Sequence, residues 1–333
     1  MKTIKKNRLS NFGIIISCVV ILFNINLIIH PLEMIDTARE GLLLWFNQVL
    51  PSLLPFAVGA NLLAGLGFIH FLGALTASVM IPLFRVPGAG SYALLTGLTS
   101  GYPMGAKAVA YLRETKQLQQ DEAQRLLAFS NNAGPLFVVG FVGTSLLGSP
   151  RAGYILLISH VAAAIGLGLL LRFWGKPVPY ERPEEGSLRL AFRRYRDFRE
   201  NSYGGFGQVL GDSVRNAMET MVLVGGFIIV FCVVIKTLEV IGLFDVYPQG
   251  EGFIAGLIEV ANGARILAQG GPPDSGVLAA TAALISFGGF SVHGQTAHFI
   301  RHTDIKFGPY LAAKCLQAVG AGGICLVITR YIG

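Results

Sequence analysis

Long apolar runs, not alternation, dominate this chain. Runs long enough to cross the roughly 30 Å hydrocarbon core of a bilayer cover residues 12–29, 123–147, 154–173, 218–238, 277–299 and 310–332. Residues 42–84 hold enough length for two more, but Pro51, Pro55, Gly65, Gly67 and His70 interrupt them. Residues 92–112 and 253–267 are apolar segments broken by glycine, the second too short to cross as a plain helix. Residues 12–29 follow a basic stretch as a signal peptide would. No small-residue cleavage site closes them, so they read as a retained first helix. The pattern predicts an all-α polytopic membrane protein with broken transmembrane helices.

The breaks recur. Gly101-Tyr-Pro-Met-Gly-Ala-Lys107 and Glu259-Val-Ala-Asn-Gly-Ala-Arg265 each place a cation after a Gly-Ala pair, and each is followed by a second break, Asn131-Asn-Ala-Gly-Pro135 and Ser286-Phe-Gly-Gly-Phe-Ser291. Interrupted segments in corresponding places of two halves are the signature of a secondary transporter built from repeats. Charge sorting gives the sense of the repeat. With the basic N-terminus inside, Arg85, Arg113, Lys116, Arg301 and Lys306 fall inside and Asp245, Glu251 and Asp274 outside, provided that 42–84 crosses once with an interfacial part. The two glycine-broken segments then become re-entrant hairpins entering from opposite faces. The expected organisation is a basic segment and first helix (1–41), a first half (42–174), a basic cytoplasmic loop (175–216) and a second half (217–333).

Composition agrees with this picture: 53% of residues are hydrophobic and 14% charged, against about 25% charged in soluble domains, and the mean hydropathy is +0.59. The net charge of +7 gathers at the N-terminus and in 176–215, which points to topology and lipid contact and away from nucleic acid. Within that loop five arginines alternate with Phe192, Tyr195 and Phe198, as in a helix lying on anionic lipid or a solvated linker. Cys18, Cys232, Cys315 and Cys325 show no ligand spacing and read as buried small hydrophobes. No nucleophile elbow, phosphate loop, metal cluster or cofactor motif is present, so an enzyme is not expected. Oligomeric state stays open, a homo-oligomer included.

Backbone that leaves the helix at membrane depth must face protein or a cavity, so the four breaks predict a binding site. Its candidate residues are Gly101, Gly105, Lys107, Asn131, Asn132, Glu259, Asn262, Gly263, Arg265, Ser286, Ser291, His293 and Gln295. Free helix N-termini and the two cations favour an anionic group, with Lys107 and Arg265 facing it from opposite sides of one cavity. Gly105 and Gly263 are expected to allow a tight turn or close approach to substrate. Glu259 either pairs with Arg265 or carries a coupling proton or cation such as Na⁺. His293 is either a titrating group or a satisfied interior histidine.

At Ser100-Gly-Tyr-Pro-Met-Gly-Ala-Lys107, Asn131-Asn-Ala-Gly-Pro-Leu-Phe137 and Ser286-Phe-Gly-Gly-Phe-Ser-Val-His293 the chain resembles the sporulation integral membrane proteins of endospore-forming Firmicutes, from about Leu42 onward. These carry the nucleoside-recognition or gate domain of concentrative nucleoside transporters. The resemblance implies transport of dipicolinate, a planar dianion, from the mother cell across the outer forespore membrane. A nucleoside carrier and a non-transporting sporulation assembly factor are the alternatives.

Overall fold

The computed structural model describes residues 2–175, 188–200, 205–270 and 273–332, and every regular element among them is helical. Helix α1 (Lys2–Ile29) leads into α2 (Pro31–Leu44), whose first-turn proline lacks only an N–H that has no partner there anyway. A π-wound turn, Trp45–Val49, joins α2 to α3 (Leu50–Gly65) as one helix of 35 residues. Wide winding falls just ahead of Pro51 and Pro55, where the i→i−4 ladder loses its donors. Gly67, in the left-handed region at φ 85°, turns the chain into α4 (Phe68–Phe84). Residues 42–84 thus form the end of one long span and a second helix of 17 residues, about 26 Å long.

A hairpin follows, α5 (Gly90–Thr99) and α6 (Met104–Glu114), then α7 (Gln120–Ser130), which a reciprocal Gln119–Glu122 capping box starts. After a break at 131–134 the chain continues as a π-wound helix, Leu136–Leu146, and returns as α8 (Pro150–Leu171). The amphipathic α9 (Leu188–Glu200) seats Phe192 against Phe71 and Phe198 against His70 of α4. Helix α10 (Phe206–Val240) begins inside the segment read as a loop. Parts of that basic loop, 176–187 and 201–204, lie outside the described residues.

After α10 a hairpin, a broken helix and a long helix follow in that order again. The hairpin α11 (Glu251–Ile258) and α12 (Val260–Ala268) precedes a broken helix, α13 (Ser275–Phe287) and α14 (Gly289–Ile300), and the chain ends in α15 (Phe307–Ile332). The break between α13 and α14 rests on Gly288 and Gly289, both at positive φ.

Five helical stretches among the described residues are long and apolar enough to cross a membrane. Their outer faces, and that of α1, carry bare apolar side chains such as Leu22, Ile28, Val222 and Val319, which water would not tolerate as a continuous surface. The protein is an integral, multi-pass membrane protein. Cys18 and Cys315 lie on these outer faces and are exposed, contrary to expectation, whereas Cys232 and Cys325 are buried. Neither exposed position turns toward another helix, so apolar sequence alone did not reveal which face lipid covers.

The halves are stapled where α6 and α7 meet the turn between α14 and α15. Arg113 donates to both carboxylate oxygens of Asp304 at 2.8 Å. Gln124 exchanges two bonds with the backbone of Lys306. The Arg113 hydrogen bond holds the Asp304 carboxyl below its ordinary pKa, against a smaller opposing effect of burial.

The charge sorting requires hairpins of opposite sense. Single cysteines at Glu114 and Ser275, both exposed, in a background without the four native thiols, are expected to react with a membrane-impermeant maleimide from opposite sides. Labelling of both from one side sinks the inverted arrangement.

Candidate functional site

The four breaks meet at one small cavity. Gly101 and Tyr102 come from the first hairpin, Gly134 from the break after α7, Glu259, Val260 and Ala261 from the second hairpin, and Ser291 and Gln295 from α14; Ser52 and Leu53 of α3 and Val224 and Ile228 of α10 help close it. Gly101 sits at φ 81°, and a Cβ there would lie 2.7 Å from the Gly134 nitrogen. Glycine is what lets the first two breaks touch. The cavity volume is about 40 Å³. That suits a few waters and falls far below the roughly 300–1,000 Å³ of small-molecule sites, so any cargo of that class requires the helices to part.

Among the described residues, Glu259 supplies the only carboxylate or cation in this lining. It is the extended residue between α11 and α12, and its Oε2 accepts from the Asn262 N–H at 2.8 Å and from Asn262 Nδ2 at 3.0 Å. A carboxylate at a helix N-terminus is stabilised by the unpaired amides and the helix dipole. The end of α12 that the sequence offered to an anionic ligand is therefore already capped by the chain. Two further polar atoms of the lining residues, Tyr102 Oη and Gln295 Oε1, have no partner among the described residues.

Behind the cavity the break after α7 is held by a buried network. Asn131 Oδ1 accepts from the Ala106 N–H, one of the orphan donors of the first turn of α6. Asn131 Nδ2 donates to Thr296 Oγ1 at 3.0 Å and to Tyr310 Oη at 2.9 Å. Asn132 Oδ1 accepts from Gln317 Nε2 at 2.9 Å. His160 Nε2 accepts from the Ala133 N–H at 3.0 Å, which leaves Nδ1 to donate to Ser286 Oγ at 2.7 Å and fixes a neutral tautomer. One break is thus tied to α6, α8, α13, α14 and α15 together.

Of the sequence candidates, Gly101, Glu259, Ser291 and Gln295 line the shared cavity. Asn131, Asn132 and Ser286 belong to the network behind it. Gly105 and Gly263 face neighbouring backbone, respectively Ser130–Asn131 and the Gly252–Gly256 face of α11. His293 is buried among Phe287, Phe290, Phe307 and Tyr310, and neither ring nitrogen is bonded among the described residues, so of its two readings the satisfied interior histidine is not the one observed.

Lys107 and Arg265 are not brought together. Lys107 donates to Thr220 Oγ1 at 2.8 Å and to the Asn216 carbonyl at 3.1 Å on α10, and lines a separate cavity of about 320 Å³ with Asn61, Tyr92, Tyr111 and Asp212. Arg265, its side chain 47% exposed, lies 3.5 Å from Glu40 and not in an ion pair with Glu259. The cause is helical phase: α12 turns its Asn262–Gly263 face inward and carries Arg265 outward.

The sequence reading passed over His160, Lys314 and Gln317. Each is a polar residue inside an apolar span, and an ionisable one there is a functional candidate by default.

Known proteins add the family. Over 326 residues the chain is 31% identical to the sporulation integral membrane protein YlbJ of Bacillus subtilis (strain 168), an alignment spanning 90% of this chain and 79% of that relative. The chain belongs to the YlbJ family of sporulation integral membrane proteins. No protein-family model matches it, and no solved structure does. Membership in this family accounts for the multi-pass architecture and places the protein in sporulation.

The placement of Arg265 changes what its removal should do. An exposed ion pair contributes about 0–1 kcal/mol, so, if the chain takes the dicarboxylate proposed below, Arg265→Gln is expected to change that affinity by less than about fivefold. Isothermal titration against the wild type checks this. A hundredfold loss would return Arg265 to the site.

Proposed function

We propose that this protein is a secondary transporter that moves a small organic anion, dipicolinate, from the mother cell across the outer forespore membrane. The observation that carries the reading is the convergence of four backbone breaks, two from each half, on one small cavity. Broken helices that meet at a shared site are the construction used for alternating access. The sporulation role of the relative supports the choice of cargo and membrane.

The charge of the site adds a condition. A dianion beside an ionised Glu259 is repelled, so in this proposal Glu259 carries a proton when they meet, and the proton is the coupling ion. Glu259→Gln then keeps binding and removes the dependence of flux on a pH gradient. One observation favours a second cargo class: a carboxylate and an amide, Glu259 and Gln295, also suit a neutral sugar and base. Proteoliposomes containing the full chain separate the two. Saturable dipicolinate flux, not matched by uridine, supports the proposal; uridine flux alone selects the nucleoside reading, and no flux of either leaves the protein without a transport role.

A further inference from the structure

Lys314 is 1% exposed, lies in the first third of α15 and has no Asp or Glu within 4.0 Å among the described residues. Its Nζ donates to the backbone carbonyl of Asn131 at 2.9 Å and to Gln317 Oε1 at 2.6 Å. The titratable groups around it are His160 on α8, His293 on α14 and Tyr310 on its own helix. None of them supplies a negative charge, and His160 is fixed in its neutral tautomer by its two bonds.

What balances the ammonium is the break. Asn131 is the residue at which α7 ends, its backbone at φ −89° and ψ 87°, outside the helical region. Its carbonyl therefore has no donor one turn ahead and sits at the negative end of the α7 dipole. Gln317 presents a second oxygen, itself oriented by the bond from its Nε2 to Asn132 Oδ1. Carbonyl oxygens freed by unwinding, at the C-terminal end of a half-helix, are the groups that coordinate a coupling cation in transporters built from broken helices. Here a compact point charge with three donors already occupies them.

We propose that Lys314 is a tethered cation that fills the cation site of the break after α7, so that the protein folds and works without sodium. Carried on α15, the charge holds α7 and α15 together through Asn131 and Gln317, and no free metal ion is needed to stabilise the unwound carbonyl. The inference deepens the transport reading by excluding sodium as the coupling ion, and it also stands on the fold alone.

The test measures thermal unfolding of the purified full chain in detergent, in sodium chloride and in N-methylglucamine chloride at equal ionic strength. The wild type is expected to show the same midpoint in both. Lys314→Arg, which keeps the charge, is expected to remain indifferent to sodium. Lys314→Ala empties the site, and sodium is expected to raise its midpoint by roughly 2 °C or more. A sodium-dependent midpoint of the wild type overturns the proposal and requires no variant to fold. A folded Lys314→Ala protein indifferent to sodium overturns it too, leaving Lys314 as a latch. In proteoliposomes, dipicolinate flux that requires sodium keeps the transport reading and sinks this one. Absence of any flux with the expected melting behaviour does the reverse.

Discussion

Leucine in place of Asn131 is expected to destabilise the protein by about 2–4 kcal/mol and to abolish dipicolinate flux. The two side chains are close in size, so the effect isolates hydrogen bonding. The amide makes three bonds, from the Ala106 N–H and to Thr296 and Tyr310, and the substitution leaves all three partners buried. A buried polar group deprived of its partner costs about 1–3 kcal/mol, whereas interhelical hydrogen bonds in membranes average nearer 0.6 kcal/mol. Three losses at one junction, one of them a backbone N–H, scale these per-bond figures to a total of about 2–4 kcal/mol. Asn24→Leu is the control, because Asn24 is exposed and bonds only to the Val20 carbonyl of its own helix; its effect is expected to stay within about 0.5 kcal/mol. Thermal unfolding in detergent, followed by flux, checks both.

Valine at Gly263 is expected to have the other large effect: loss of flux together with a strongly lowered unfolding midpoint. A Cβ at Gly263 would run into the backbone of Gly256 and approach the Gly252 carbonyl to 2.7 Å. Gly252 and Gly256 form a small-xxx-small face on α11 that lets α12 lie almost directly on it. Backbone cannot rotate away as a side chain can, so the hairpin must splay, and the three cavity-lining residues that begin with Glu259 move with it. The same reasoning applies at Gly105, where a Cβ would meet the Ser130 carbonyl. Gly59 and Gly140 have open space at the Cβ position, and valine there should leave the hairpins intact. The sequence pointed to these hairpin glycines as allowing a tight turn or close approach to substrate, with valine sparing folding. Their contact with neighbouring helix backbone makes folding and flux fall together.

Much of the architecture was legible because a bilayer leaves the chain few options. Apolar length located α8 and α15, and glycine with proline located every break. What stayed hidden was azimuth. Lys107 and Arg265 occupy equivalent places after Gly-Ala pairs, yet one turns toward α10 and the other outward to Glu40, and linear sequence carries no information on which neighbour each helix face meets. The amides of Asn131 and Asn132 were correctly tied to a helix end, but their partners Tyr310, Lys314 and Gln317 lie some 180 positions away. Lys314 itself was readable as an ionisable residue inside an apolar span. Lys107 and Arg265 stood out in the sequence because they recur after Gly-Ala pairs, whereas Lys314 follows no such pair.

The central claim is that the cavity at the four breaks is where cargo sits, and protection of a thiol at Ser291 tests it most directly. Ser291 lines the cavity and is buried. In a background without native cysteines, Ser291→Cys should be modified by a small methanethiosulfonate reagent while the carrier cycles, and saturating dipicolinate should slow that reaction several-fold. A cysteine at the lipid-facing Val222 should react at a rate that dipicolinate does not alter. Undiminished modification at Ser291, in a protein whose dipicolinate flux is intact and saturated, would contradict the account.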